Sequence, residues 1–420
     1  MSNLIGLLGI ALLLGVAWLV SEHRRHIQWQ TIVVGLGLQL ALAVFVLWVP
    51  FGRTVFETLG AGFVTLIGYT QAGSAFIFGD LANAEEFGFI FAFQVLPTII
   101  FFASLMACLY HLGVMQKVVE WMAVIMTRFM KVSGSESLAT AANVFVGQTE
   151  APLVVRPFIA GMTRSELFAL MTGGMATIAG GVLAAYVLLL GGTDPEQQAF
   201  YAKHLISASI MAAPAALLVA KLILPERETS ETMGLVRTTV EREHTNLIEA
   251  AAGGAGEGLK LALNVGAMLL AFLALIALIN GPLTWLGSVT GLEAVVGQPV
   301  DLALILGWLF APVAFLVGVP LDEAVTVGGL IGQKIVANEF VAYVALTEIQ
   351  DQLSERSVLI ATYALCGFAN FASIAIQLGG IGGIAPSRRS ELAQLGLKAI
   401  LGGALVSLLN AAWAGLLVWH

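Results

Sequence analysis

Two glutamates lie inside apolar stretches of the chain, and their placement is the first feature that predicts chemistry. Glu150 lies in FVGQTEAPLVV and Glu339 lies in IVANEFVAY. An ionisable residue kept in such surroundings is costly to desolvate and is by default a functional hypothesis. A structural hydrogen bond or a helix cap would explain either glutamate alone. Two carboxylates at comparable places in the two halves of the chain favour a binding site.

Neutral polar residues accompany both glutamates. They are Asn143, Gln148, Thr149, Asn338, Asn370 and Ser373. Amides, hydroxyls and carboxylates together suit a polar, uncharged ligand with several donors and acceptors. Val182, Phe368 and Phe371 offer surface for an apolar or aromatic face of that ligand. No cluster of Arg or Lys in these motifs would neutralise a phosphate or carboxylate, and we interpret Arg156 and Lys334 as anchors of hairpin ends.

Prolines and glycines interrupt the segments that carry these residues. Pro152 and Pro157 prevent a continuous helix through 143–157, because proline lacks an N–H and clashes with the preceding turn. We therefore predict a re-entrant hairpin there, and the glycines of GGMATIAGG (173–181) permit unwinding of the next span. Unwound backbone at membrane depth frees carbonyl groups that can coordinate a hard cation such as sodium. The predicted oxygen cage consists of the side chains of Asn143 and Thr177 and the carbonyls of Val146 and Ile178.

The composition places the whole chain in a membrane. Of its 420 residues, 58% are hydrophobic and 11% are charged, whereas a soluble globular chain has about 25% charged residues. The net charge of −8 gives no reason to expect nucleic-acid binding. Cys108 and Cys366 lie in apolar segments without metal-ligand spacing, so we interpret them as small buried side chains.

Transmembrane helices must position the site, and a helix needs about 20 apolar residues to cross a bilayer. Stretches of suitable length occur at 3–20, 30–50, 88–112, 165–190, 200–223, 259–280, 357–380 and 393–419. We predict an all-α integral membrane protein with about eight transmembrane helices. The excess of Lys and Arg on the cytoplasmic side of such proteins then places both termini outside the cell. The residues assigned to the cytoplasmic side include Arg24, Arg25, Arg227, Arg237, Arg242, Arg388 and Arg389.

The order of elements repeats along the chain. Each half has a span, an amphipathic stretch, an interrupted polar segment, a span with small residues and a final span. The interrupted segments enter from opposite sides, which predicts an inverted repeat, the plan of many secondary transporters. Amphipathic helices at 55–78, 114–131 and 302–318 are expected to lie along the membrane surface.

The predicted organisation has four parts. They are 1–85 with N-terminal spans and an amphipathic helix, 86–224 as the first repeat half with a hairpin near 134–160, 225–258 as a cytoplasmic polar connection ending in a glycine-rich hinge, and 259–420 as the second repeat half with a hairpin near 320–350.

At these motifs the sequence resembles the concentrative nucleoside transporters, most closely the bacterial sodium-coupled members. The matching stretches are FGFIFAFQVLPTIIFF (87–102), NVFVGQTEAPLVVRPF (143–158), MTRSELFALMTGGMATIAGG (162–181), KIVANEFVAY (334–343) and CGFANFASIAIQLGG (366–380). The resemblance covers most of the chain beyond about residue 85. It implies a homotrimer in the bacterial inner membrane, in contact with lipid, with one nucleoside site per protomer.

The resemblance also implies roles for the site residues. The nucleobase would lie against Gln148, Thr149, Glu150 and Val182. The ribose would lie against Glu339, Asn370, Ser373 and Phe368. Sodium, the coupling ion, would be held by Asn143, Val146, Thr177 and Ile178, with no organic cofactor. Family members often have Ser in place of Thr177. Some proton-coupled relatives have GQSEN where this chain has GQTEAP, so the GQTEAP motif favours sodium.

Other functions stay open at this point. An intramembrane enzyme is disfavoured because the sequence has no H-E-x-x-H or G-x-S-x-G motif and its six histidines show no ligand spacing. A passive channel would also use polar residues at depth, but it needs no mirrored pair of interrupted segments. A proton-coupled nucleoside symporter and an importer of bases or sugars keep the transporter fold.

Overall fold

Helices account for most of the chain in the computed structural model, which describes residues 2–234 and 244–418. The helices up to residue 223 are α1 (Ser2–Leu19), α2 (Trp29–Leu47), α3 (Pro50–Phe78), α4 (Ala84–Phe87), α5 (Phe91–Gln94), α6 (Leu96–His111), α7 (Val114–Met130), α8 (Gly134–Asn143), α9 (Ala151–Val154), α10 (Arg156–Ile159), α11 (Arg164–Ala176), α12 (Gly180–Gly191) and α13 (Pro195–Ile223). The later ones are α14 (Leu247–Val289), α15 (Leu292–Val296), α16 (Leu302–Leu316), α17 (Ala324–Val336), α18 (Glu339–Ile349), α19 (Glu355–Leu365), α20 (Phe371–Ile384) and α21 (Arg389–Leu417). The described residues contain no strand, and Ser133 and Met233 form an isolated bridge. The predicted cytoplasmic positions of Arg237 and Arg242 fall outside the described residues.

Seven helical segments of the described chain are long and apolar enough to cross a bilayer. They are Trp29–Leu47, Pro50–Ala82, Phe91–His111, Arg164–Gly191, Pro195–Ile223, Leu247–Val289 and Pro386–Leu417. All but one of these coincide with predicted spans, and the predicted span 3–20 forms α1. The exception is Pro50–Ala82, which includes the stretch 55–78. Its surface location stays a prediction, since its length and composition also suit a crossing helix.

The predicted span 357–380 is two short helices, α19 and α20, rather than one. Gly367 lies between them with φ +132°, a conformation that favours glycine. A Cβ on Gly367 would also lie 2.9 Å from the carbonyl oxygen of Ala176, the last residue of α11. The other broken helix is interrupted just beyond that residue, before α12 begins at Gly180. The two interruptions are therefore in direct contact.

The predicted repeat is visible in the elements that pack together. Hairpin one (α8 to α10) and hairpin two (α17 and α18) each pack on a broken helix, α8 against α11 and α17 against α19. The halves also exchange contacts, because α12 packs against α18 of hairpin two and α20 packs against α9 of hairpin one. Each hairpin thus lies beside the broken helices of both halves.

The polar connection 225–258 is shorter than predicted, because α14 already begins at Leu247. Asn246 caps this helix, and its Oδ1 accepts a hydrogen bond from the Glu249 N–H at 2.9 Å. The glycine-rich stretch that the sequence suggested as a hinge therefore lies in the second to fourth turns of a helix.

Close packing explains why these glycines are helical. A Cβ on Gly254 would lie 2.6 Å from Ala107 Cβ, and a Cβ on Gly258 would lie 2.7 Å from Ile100 Cα. Both neighbours belong to α6. Small residues allow two membrane helices to approach closely, which outweighs the low helix propensity of glycine.

This packing predicts opposite effects for two neighbouring glycines. Gly254→Ala should lower the free energy of unfolding by about 1–3 kcal/mol, because the added methyl overpacks the contact with α6. Gly256→Ala is the matched control, since a Cβ there meets nothing within 4 Å, and it should raise stability by up to about 1 kcal/mol. Thermal unfolding of the purified variants in detergent measures both. Equal stability of the two variants would contradict the packing account.

Candidate functional site

Glu339 is the first residue of α18 and is buried, with 6% of its surface exposed. Its Oε1 accepts a hydrogen bond from the Tyr186 hydroxyl at 2.9 Å, and its Oε2 accepts one from Asn370 Nδ2 at 3.0 Å. Tyr186 belongs to α12, and Asn370 is the N-cap of α20. One carboxylate therefore joins hairpin two to the second segments of both broken helices.

Gln148, in the tip of hairpin one, reaches the same helix α20. Its Nε2 donates to Ser373 Oγ at 3.1 Å, and its Oε1 accepts from Gln377 Nε2 at 3.1 Å. Gln377 also donates to the carbonyl of Met171 at 2.9 Å. The Ser373 N–H donates to Asn370 Oδ1 at 3.0 Å. These bonds form one continuous network that runs from hairpin two through α20 to hairpin one.

The glycines of the first broken helix have two different roles: some lie next to the unwound segment, and others leave room for neighbouring side chains. The sequence suggests that all of them permit unwinding, but Gly173 and Gly174 lie inside α11, and only 177–179 is unwound. A Cβ on Gly174 would lie 2.8 Å from Gln377 Nε2 and 2.9 Å from Gln148 Cβ. The missing side chain leaves room for the two amides to pair.

The other residues predicted for the ligand form no hydrogen bond of this network. Val182 on α12 is buried, whereas Thr149 and Phe368 are half-buried. Glu150 is exposed at the start of α9, so the expectation that both glutamates are desolvated is wrong for this one. The physical reason is its position: Glu150 precedes the four-residue helix α9, which turns Ala151, Pro152 and Val154 inward and leaves Glu150 outside. Phe371, a further aromatic candidate, is also exposed.

The predicted cation ligands lie where α8 and α11 end. Asn143 is the last residue of α8, and its fully buried Oδ1 has no hydrogen-bond partner. Thr177 follows α11, and its hydroxyl donates to the carbonyl of Gly173 at 3.0 Å. The Phe145 carbonyl accepts from the Gly180 N–H at 2.9 Å, which ties the hairpin tip to the unwound segment. Helix C-termini carry partial negative charge, so an unpartnered oxygen between two of them fits a small cation.

The donors at this place are neutral oxygens. Among the described residues, no group of three or more His, Cys, Asp or Glu is arranged to hold a metal ion. Val146 is half-buried and Ile178 is fully buried, and since their side chains have no oxygen, their predicted contribution is limited to backbone carbonyls. Hard cations such as sodium take oxygen ligands of this kind.

The anchors of the hairpin ends differ from the prediction in one case. Arg156 is exposed. The end of hairpin one is held instead by Arg388, whose guanidinium donates to the carbonyls of Ile159, Ala160 and Met162. Lys334 is buried and anchors hairpin two as predicted, with its amine bonded to Ala364 and Ser407.

Comparison with known proteins decides what this site belongs to. The model described as "Na+ dependent nucleoside transporter N-terminus" matches residues 8–81, and the corresponding C-terminal model matches residues 204–415. Between them, residues 92–193 match the model described as "Nucleoside recognition". The chain belongs to the sodium-dependent nucleoside transporter family.

Relatives of this transporter cover its whole length. Uncharacterized transporter YutK of Bacillus subtilis is 48% identical over 100% of both chains. Nucleoside permease NupC of Helicobacter pylori is 42% identical over 99% of this chain and 98% of its own. Among solved structures, CNTnw in an inward-facing substrate-bound state matches with a TM-score of 0.89 and 45% identity, over 99% of this chain and 98% of that one. A CNTnw variant in an outward-facing state has a TM-score of 0.90.

Two residues of the transporter's network were missed by sequence reasoning. Tyr186 and Gln377 are single polar side chains in the apolar runs AAYVLLL and IAIQLGG. A polar group at membrane depth is a signal that such reasoning can use. Their partners, however, lie 153 and 229 residues away in the sequence, so the pairing itself becomes visible only in the fold.

Gln377 is expected to act by fixing the orientation of the Gln148 amide. Gln377→Leu leaves the Gln148 carbonyl without its donor, at a cost of about 1–3 kcal/mol, so the nucleoside concentration for half-maximal uptake should rise about tenfold. Gln71→Leu is the control, because Gln71 is exposed and bonds only locally, to Ala82. Uptake of labelled nucleoside into cells expressing each variant measures the difference. An unchanged half-saturation for Gln377→Leu would remove this role.

Proposed function

We propose that this transporter is a secondary active importer of nucleosides, uridine among them, driven by the sodium gradient through alternating access in the bacterial plasma membrane. The observation that carries the proposal is the network from Glu339 to Gln148, which presents neutral donors and acceptors and one carboxylate where hairpins and broken helices meet. A nucleoside is a polar, uncharged ligand of this chemistry. The name of the NupC relative and the family description support the same substrate class.

The ribose side of the site is assigned to Glu339, Asn370 and Ser373, with Phe368 beside them. Glu339 lies in the first turn of α18, where the helix dipole stabilises its charge. Each of its oxygens accepts one hydrogen bond from the protein and retains a free acceptor position for a ribose hydroxyl. The half-buried Phe368 ring offers an apolar surface to the sugar.

The nucleobase side is assigned to Gln148, Thr149, Glu150 and Val182. The Gln148 amide is held by Ser373 and Gln377 and keeps one N–H and one acceptor position for a base. Val182 supplies apolar contact from α12. Because Glu150 is exposed, its carboxylate is accessible to a ligand.

Sodium is assigned to the side chains of Asn143 and Thr177 and the carbonyls of Val146 and Ile178. The buried, unpartnered Asn143 oxygen supports this assignment. An ion there would link the tip of hairpin one to the unwound segment of the first broken helix and so order Gln148 for the base. The coupling is a free energy shared by both sites, so the nucleoside strengthens sodium binding by the same factor.

The scaffold of the movement is assigned to α6 and α14. These helices pack together closely through the glycines of α14. Of the candidate spans, α14 is the least buried, with 11% of its most apolar stretch buried. An apolar, exposed helix needs lipid or another protomer against it, which supports α14 as the contact of a homotrimer. The inward-facing and outward-facing CNTnw structures support alternating access.

Uptake of labelled uridine into proteoliposomes tests the proposal. An inward sodium gradient should drive accumulation, and a proton gradient without sodium should not. Thr177→Val removes one ion ligand and should raise the sodium concentration for half-maximal uptake by about threefold to tenfold. Thr65→Val, which loses a similar bond from an exposed threonine to the carbonyl four residues earlier, is the control. Equal uptake with protons alone would favour a proton-coupled symporter, and non-saturable uptake would favour a channel.

Glu339→Gln tests the ribose assignment. The change removes the charge but keeps the shape, and it weakens hydrogen bonds to a charged group that are worth about 1.5–3 kcal/mol. Uridine affinity should fall by about tenfold to a hundredfold, measured by calorimetry on the purified protein. Glu348→Gln, an exposed residue of the same helix, should bind uridine normally. Normal binding by Glu339→Gln would take Glu339 out of the site.

A further inference from the structure

The second repeat half contains a buried amine where its hairpin meets its broken helix. Lys334 has 2% of its surface exposed, and its Nζ donates to the carbonyl of Ala364 at 2.9 Å and to Ser407 Oγ at 2.8 Å. Ser407 Oγ in turn lies 2.9 Å from the carbonyl of Cys366. The amine therefore joins hairpin two to the broken helix and to α21. These partners are neutral oxygens, and the Glu339 carboxylate nearby is already bonded to other groups.

Two helix C-termini meet at this amine. Lys334 lies in the last turn of α17, and Ala364 is the next-to-last residue of α19. The carbonyls at a helix C-terminus lack partners within the helix and give it partial negative charge. The lysine brings a positive charge to this meeting point, and its amine satisfies the Ala364 carbonyl at the end of α19.

The first repeat half has the same two helix ends but no such side chain. The corresponding helices are α8, which ends at Asn143, and α11, which ends at Ala176, and neither has a basic residue in its last turn. The buried Asn143 oxygen at that junction has no partner. Both halves thus have a junction of two helix C-termini with partial negative charge. Of the two, the second half places a positively charged side chain there.

We propose that Lys334 is a tethered cation that takes, in the second repeat half, the place that sodium takes in the first. The comparison with sodium rests on the proposed function, whereas the placement of the lysine amine rests on its hydrogen bonds to Ala364 and Ser407. Hairpin two then always has a cation at its junction with α19, whereas the junction of hairpin one with α11 gains a cation only when sodium binds. Lys334 is a positioning residue, since it acts on the ligand through the hairpin that carries Glu339.

Three variants separate the charge of Lys334 from its bulk. Lys334→Met keeps an unbranched apolar side chain without charge, Lys334→Ala leaves a hole at the amine position, and Lys334→Arg keeps a charge. Lys260→Ala is the control, an exposed lysine of α14 paired only with Glu257. The purified proteins are heated in sodium-free choline buffer without nucleoside, with and without ethylammonium or propylammonium. Uridine uptake is then measured with the same additives.

Alkylammonium should raise the melting temperature of Lys334→Ala and restore its uptake at least about tenfold, because the small cation refills the junction. It should do neither for wild type, for Lys334→Met or for Lys260→Ala. Uptake by Lys334→Met should be at least about tenfold below wild type. If wild type takes up no nucleoside but the alkylammonium stabilises Lys334→Ala, the proposed function fails and the tethered cation stands.

Three results would overturn the proposal. The first is wild-type uptake by Lys334→Met, which would show that charge is not needed. The second is a folded Lys334→Ala protein that no alkylammonium stabilises. The third is failure of all three Lys334 variants to reach the membrane, which would show a requirement for side-chain fit. If only Lys334→Arg reaches the membrane, the charge is needed for assembly and the proposal is supported.

Discussion

A helix that stops inside a membrane leaves several N–H and carbonyl groups without partners, and no water is present to bind them. This transporter has such ends in both hairpins and both broken helices, and several polar residues of the site hydrogen-bond to groups at these ends. Asn338 and Asn370 accept from the N–H groups that begin α18 and α20. The two interruptions are in contact where Gly367 meets Ala176, so the groups that satisfy these helix ends lie in one small region.

The end of each helix that faces the site determines whether a positive or a negative charge is stabilised there. Helix N-termini favour anions and C-termini favour cations. Glu339 accordingly lies at the start of α18, while Lys334 and the unpartnered Asn143 oxygen lie at ends of helices. With sodium bound as proposed, the charge requirements of the helix ends are met by the protein and the ion, not by the ligand. That arrangement leaves neutral hydrogen-bonding groups for the substrate, which is why a nucleoside suits it and a phosphate does not.

Much of this could be predicted from the sequence, because local rules fix where helices cannot continue. The prolines near Glu150 and the glycines near Gly180 predicted the first hairpin and break. What failed depended on contacts between distant residues. The glycines of α14 suggested a hinge because glycine weakens helices, and only their packing against α6 makes them helical. Glu150 is exposed because a short helix leaves it at the tip, a fact that no apolar flanking sequence reveals.

If Lys334 is a tethered cation, the sodium gradient cannot act on hairpin two. An ion can shift a conformational equilibrium only by its differential affinity for the two states, and a lysine that is always present shifts it by a constant. On the proposal above, hairpin two is therefore part of the resting structure, and its closure does not depend on the gradient. On the same proposal, the junction at Asn143 and Thr177 is the one that responds to sodium. On this proposal the repeat halves share a fold but differ in function, since the second half holds hairpin two with its own lysine and the first half depends on an ion.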